Sequence, residues 1–165
     1  MSWEIDDDLY DHIRKILPEG STILELGSGE GTDRLAKHYK MYSVEHDIQW
    51  MNKYKSTYLY APLCEHKAVQ NHKGTVWYTA DILRPQLKGL EYDLLLVDGP
   101  PQSRCGFVKY FDLFDPKAIM VFDDVQRGRD EKVVLSVATK LKAPYVVYGA
   151  GGKKLFGVIN DPCTK

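Results

Sequence analysis

Short apolar runs that stop at glycine or aspartate recur along this chain, and each is followed by a stretch with helical spacing. TILEL runs into GSGEG, MYSVE into HD, DLLLVD into GPP, and AIMVF into DD. Runs that are apolar on consecutive positions, with no polar alternation, mark strands buried on both faces. Alternation of such strands with amphipathic helices leads to a mostly parallel sheet covered by helices on both sides. The expected fold is therefore α/β, with six or seven parallel strands closing on a terminal hairpin. That hairpin pairs Tyr145–Gly149 with Leu155–Ile159 across AGGKK, a length that suits two antiparallel strands.

Helical patterns are expected over Asp6–Leu17, Thr32–His38, Ile48–Lys55 (with Asp47 as N-cap), Ile82–Lys88 (capped by Asp81), Gly106–Phe114 and Asp130–Leu141. Pro85 limits how far the fourth of these can run. The chain's 165 residues match one domain, spanning 1–165 with no separate substrate domain. Its 22 Lys and Arg against 23 Asp and Glu leave a net charge of −1, so no global basic field draws nucleic acid or a membrane surface. The N-terminus MSWEIDDDLYDH lacks the basic-then-apolar order of a signal peptide, and no apolar run is long enough to span a bilayer. Three widely spaced cysteines, Cys64, Cys105 and Cys163, form no C-x-x-C pair. A reducing cytoplasm is the expected compartment.

Chemistry concentrates at the ends of the strands. Gly27, Gly29 and Gly31 follow the first strand and precede a helix. Glycines there let the backbone turn sharply and approach a ligand, beside the free N–H groups of the helix start. A loop that needs tight turns and binds nothing is the alternative. Glu45 ends the second strand, where an acid projects into the sheet's crevice and can accept hydrogen bonds from a ribose diol. A G-x-G-x-x-G dinucleotide loop would require glycine where Thr32 stands.

The run ILELGSGEG resembles the first motif of class I S-adenosylmethionine-dependent methyltransferases. VEHD resembles their second strand with its ribose-binding acid, and KLFGVI their antiparallel seventh strand. The resemblance extends over nearly the whole chain. It implies a Rossmann-like, seven-stranded methyltransferase sheet with an antiparallel last strand. It also implies that Gly27, Ser28, Gly29 and Gly31, with Thr32 closing the loop, hold the methionine part of S-adenosyl-L-methionine. Glu25 would lie near the cofactor ammonium, Glu45 on the ribose hydroxyls and His46 against the adenine. Strand 3 has two candidate registers. Thr57–Leu63, which the preceding helix feeds directly, would bring Ala61, Pro62 and Leu63 to the adenine, with Thr75–Thr79 an inserted β-piece. If Thr75–Thr79 is instead strand 3, Asp81 holds the adenine amine.

Asp98 ends the fourth strand in VDGPP, and Asp123 and Asp124 end the fifth in VFDD. Adjacent parallel strands converge at their carboxyl ends, so these carboxylates share a crevice. Like charges held together call for a cation, and oxygen ligands favour a hard one such as Mg²⁺. Alternatively, Asp98 touches the cofactor and the other two cap the next helix. The pattern is similar to metal-dependent sugar O-methyltransferases of antibiotic biosynthesis. IMVFDDVQRGRDEKVV is similar to the D-V-x-R-x-x-E signature of glucuronoxylan O-methyltransferases. The chain departs from D-G-x-H in carrying Pro101 where the macrolide-type enzymes have histidine. A carbohydrate or similar small-molecule acceptor is implied, with Asp98 as catalytic base. Arg104 and Arg127 are candidates for holding an anionic acceptor, or else solvated surface arginines. His12, His66 and His72 show no ligand spacing and read as surface or loop residues. Metal-free N- or O-methylation, or a cofactor-binding subunit of a larger complex, remain rival readings, and a homodimer would be one way to complete an open site.

Overall fold

The computed structural model describes residues 4–66, 75–101, 104–149 and 154–164. The elements run α1 (Asp7–Ile16), β1 (Thr22–Leu26), α2 (Glu30–Leu35), β2 (Lys40–Glu45), β3 (Thr57–Tyr60), β4 (Leu63–His66), β5 (Thr75–Tyr78) and α3 (Ala80–Leu87). They continue with β6 (Leu94–Val97), α4 (Cys105–Lys109), β7 (Ile119–Phe122), α5 (Gly128–Leu141), β8 (Tyr145–Tyr148) and β9 (Phe156–Ile159).

Seven strands form one sheet in the order β3-β2-β1-β6-β7-β9-β8. β1 pairs in parallel with β2 and β6, β2 with β3, and β6 with β7, whereas β9 is antiparallel to both β7 and β8. This is the mostly parallel sheet with an antiparallel last strand that the sequence implied. The hairpin partner β8 lies outside β9, at the sheet's edge. Residues 150–153 lie outside the described residues.

Both faces of the strands are apolar because both are covered. Ile23, Met41, Leu94, Leu96, Val121 and Val158 pack with Ile5, Leu9 and Ile13 on one side. Leu24, Leu26, Val44, Leu95, Val97 and Phe122 meet Leu83, Phe107, Val133 and Val137 on the other. Asp6 caps α1 by accepting the Asp7 N–H at 2.8 Å, the role short acidic residues play at helix starts.

Four expectations need correction. Asp81 is not an N-cap: it lies in the first turn of α3, whose N-cap is Thr79. Residues 48–55 turn irregularly and form no helix. Ile48 is 74% exposed, so the segment lacks an apolar stripe to bury, and Asn52 adopts a left-handed φ of 59°. Asp47 instead closes an Asx turn, its Oδ1 accepting the Gln49 N–H at 2.9 Å. Thr57–Leu63 is not one strand: β3 ends at Tyr60, and Leu63 begins β4, which pairs with β5 as a separate antiparallel ribbon. The register with residues 57–60 beside β2 is thus the one adopted, and β5 is the inserted piece. Gly106–Phe114 breaks into the short α4 and a 3-10 turn at Phe111–Leu113.

Neighbouring strands β1 and β6 carry their crossovers in opposite directions from the sheet's centre. A crevice therefore opens beyond their carboxyl ends, where ligands of open α/β sheets bind.

Candidate active site

The crevice encloses a volume of about 140 Å³ and is lined by Gly27, Ser28, Glu45, His46, Asp47, Trp50, Asp98, Gly99 and Pro101. Its floor is the close meeting of two turns. Gly27 has φ +87°, and a Cβ there would stand 3.2 Å from Gly99 Cα. Only glycine takes that conformation cheaply at such an approach.

Glu45 forms one wall. Its Oε2 accepts the Ser28 N–H (3.1 Å) and hydroxyl (2.7 Å), and its Oε1 the N–H groups of His46 (2.8 Å) and Asp47 (3.0 Å). His46 Nδ1 lies 3.2 Å from the same oxygen. Burial opposes the charge, but the His46 ring, the Asp47 N–H and both Ser28 donors outweigh it and hold the carboxyl down at about 2.

Beneath the glycine loop lies Glu25, only 2% exposed. Its Oε1 accepts the hydroxyls of Thr32 (2.6 Å) and Ser43 (2.5 Å). Thr32 in turn receives the Gly29 N–H at 3.0 Å. Burial pushes the Glu25 carboxyl up to about 7, with Glu45 adding repulsion and the two hydroxyls opposing. Glu25, Gly29 and Thr32 thus brace the loop from below. Gly31 is buried, and a Cβ there would meet Ile5 at 2.9 Å, so it seats the N-terminal segment. Ala61 sits next to the crevice wall, its N–H donating to the Glu45 carbonyl at 3.0 Å. Pro62 accepts both donors of Thr79, and Leu63 packs into the core. Asp81 is exposed in the first turn of α3.

Asp98, on the crevice lining, meets Asp123 and Asp124 as expected. One carboxylate oxygen from each of Asp98, Asp123 and Asp124 lies within 4.8 Å of the others. Burial and the Asp123 charge push Asp98 well above the usual carboxylate range, with Arg104 opposing. Its side chain is 29% exposed to the crevice, so water solvates part of the charge and tempers that rise. Asp123 is raised by burial and by Asp124.

Arg104, read from sequence as an anion holder or surface group, is neither solvated nor turned to an acceptor. It is 5% exposed and enters the aspartate cluster. Nη1 donates to the Asp123 carbonyl (2.5 Å), and Nη2 to the Asp98 carbonyl (3.1 Å), Asp98 Oδ1 (3.3 Å) and Asp124 Oδ2 (3.2 Å). Arg127 is half-exposed and reaches Asp124 Oδ2 at 3.3 Å from outside. Residues 102 and 103 lie outside the described residues, as does His72.

Sequence reasoning passed over Trp50, Asp47, Gly99 and Tyr78. Tyr78 is fully buried, and among the described residues its hydroxyl has no hydrogen-bond partner. That hydroxyl would lie 2.7 Å from a Cβ on Gly99. Two histidines are also less peripheral than their spacing suggested. His12 pairs with buried Asp161 at 3.2 Å, and His66 lies 2.7 Å from the Tyr110 hydroxyl and 3.2 Å from Cys64 Sγ.

No protein-family model matches the chain, and no curated protein matches it. Solved structures do. A methyltransferase from Pyrococcus furiosus superposes with a TM-score of 0.52 at 13% identity, over 93% of this chain and 81% of that one. MycE methyltransferase from the mycinamycin biosynthetic pathway, solved with Mg, SAH and mycinamycin VI, gives 0.52 at 17% identity. That match covers 93% of this chain but spans only 45% of MycE. Precorrin 8W decarboxylase from Methanobacterium thermoautotrophicum gives 0.61 at 10% identity, over 94% and 90% of the two chains. The chain has the Rossmann-like fold of the methyltransferases.

Proposed function

We propose that the chain is an S-adenosylmethionine-dependent methyltransferase that methylates a hydroxyl oxygen on a carbohydrate or similar hydroxylated small molecule. The observation that carries this reading is Glu45, a carboxylate buried in the crevice wall and held charged beside a loop whose glycine packs on Gly99. A buried acid kept ionised at a strand's carboxyl end suits the diol of a ribose. The Ser28 hydroxyl donates to Glu45 Oε2 at 2.7 Å, as a ribose hydroxyl would. His46 and Trp50 offer flat apolar surfaces to the base, and Gly27 admits the chain of the amino acid. The Tyr78 hydroxyl behind Gly99, without a hydrogen-bond partner among the described residues, fits a crevice built around a polar ligand.

When bound, S-adenosylmethionine supplies an electrophilic methyl carbon on sulfur, which leaves as the neutral thioether with the electron pair of the broken bond. The crevice walls orient the acceptor oxygen in line with that carbon, which is where most of the rate gain of such a transfer arises. Asp98 takes the acceptor's proton at Oδ2 as the O–C bond forms. Burial and the Asp123 charge raise its proton affinity, which favours uptake of that proton.

The three aspartates are the right donor type for Mg²⁺. The Arg104 guanidinium stands 3.2–3.3 Å from two of them, however. A resident divalent cation does not fit that arrangement, and no step here passes through one.

Incubating the protein with methyl-labelled S-adenosylmethionine and a panel of monosaccharides, oligosaccharides and amines tests the assignment. Label transferred to a hydroxylated sugar, and lost in Glu45→Gln, supports it. Transfer to amines alone replaces the acceptor class, and no transfer with intact cofactor binding favours a non-catalytic subunit.

A further inference from the structure

Three carboxylates at the ends of two adjacent strands repel one another, and the fold must hold a positive charge among them. From the bonds of Arg104 we infer that this guanidinium is the resident cation of the cluster, in the position a divalent metal would take. The inference concerns how the proposed transfer is run.

The geometry is specific. Arg104 immediately precedes α4, and its side chain bridges the ends of β6 and β7. It donates to two main-chain carbonyls, which fix it in place, and to Asp98 Oδ1 and Asp124 Oδ2, which it neutralises. With only 5% of its surface exposed, it cannot swing into solvent without unmaking those bonds. The remaining aspartate is held by the main chain, its Oδ1 accepting the Asp124 N–H at 2.8 Å. Gln126 and Arg127 close Asp124 from outside at 3.2 and 3.3 Å. Each of these N–H donors therefore occupies a carboxylate lone pair that Mg²⁺ would claim. A divalent ion would also have to approach within about 4 Å of a fixed positive charge, a strongly unfavourable contact at a largely buried site.

Two consequences follow for the transfer. The acceptor hydroxyl is not activated by metal, so proton removal rests on Asp98 alone. The guanidinium also fixes the Asp98 carboxylate by its main-chain and side-chain bonds, making Arg104 a positioning residue.

Manganese titration followed by electron paramagnetic resonance tests the inference without relying on activity. Wild-type protein is expected to leave the free Mn²⁺ signal unchanged. Folded Arg104→Met is expected to bind Mn²⁺ about a hundredfold tighter or more, since the opposing charge is gone, and to lose that binding when Asp123→Asn is added. Wild-type protein that takes up one Mn²⁺, released in Asp123→Asn, overturns the inference. So does a folded Arg104→Met that binds no better than wild type. If Arg104→Met does not fold, the wild-type titration decides by itself. Failure to bind S-adenosylhomocysteine would sink the proposed function and leave this result standing.

Discussion

Glu25→Gln separates the bracing role of the buried acid from any contact with ligand. In the free chain the carboxyl is raised from 4.5 to about 7. Its folded-state proton affinity exceeds the unfolded one, so its contribution is fully present below about pH 4.5 and is lost as pH rises through about 7. A rise of about 2.5 pH units, at ~1.4 kcal/mol each, amounts to about 3 kcal/mol. Glutamine keeps an oxygen for the Thr32 and Ser43 hydroxyls and carries no charge to desolvate. The variant should melt close to wild type at pH 5 and above it at pH 8. For a chain of this size, about 3 kcal/mol corresponds to roughly 6–12 °C. Melting temperatures of both proteins, followed by circular dichroism from pH 5 to 8.5 without ligand, give the comparison. Parallel curves would refute the reasoning, because they mean that Glu25 does not change its protonation on folding.

Other perturbations have equally definite outcomes. Asp98→Asn should lower kcat by about 10²–10⁴ while leaving S-adenosylhomocysteine affinity unchanged, as calorimetry would show; parent turnover would remove Asp98 from the chemistry. Gly27→Ala forces a left-handed φ and a contact with Gly99, at a cost of about 1–3 kcal/mol, read as a drop in denaturant midpoint. Tyr78→Phe removes a hydroxyl without a partner among the described residues and should stabilise the free chain by about 1–3 kcal/mol. A destabilised variant would mean that the hydroxyl is satisfied.

Features set by local chemistry were legible in the sequence. Consecutive apolar residues in TILEL and DLLLVD became the central β1 and β6, since a strand covered on both faces needs no alternation. Strand ends carried their acids to one edge, so the crevice positions of Glu45 and Asp98 and the meeting of the three aspartates could be read directly. Effects that depend on packing could not. A helix over residues 48–55 satisfied spacing and capping but had no core to cover, and Trp50 instead reached the crevice wall. The resemblance puts Glu25 near the cofactor ammonium but gives no sign that the Thr32 and Ser43 hydroxyls, which come from separate elements, engage it. Arg104 gave no local sign of burial, because its partners lie on strand ends brought together only by the folded sheet.

The central claim is that the Gly27–Glu45 crevice binds S-adenosylmethionine. Isothermal titration with S-adenosylhomocysteine tests it most directly, comparing wild type with Glu45→Gln at matched stability. The account predicts saturable one-to-one binding by wild type, weakened about tenfold or more in the variant, as expected when a charged acceptor is lost. Equal affinity in both proteins, or no binding by a folded wild-type chain, would contradict it.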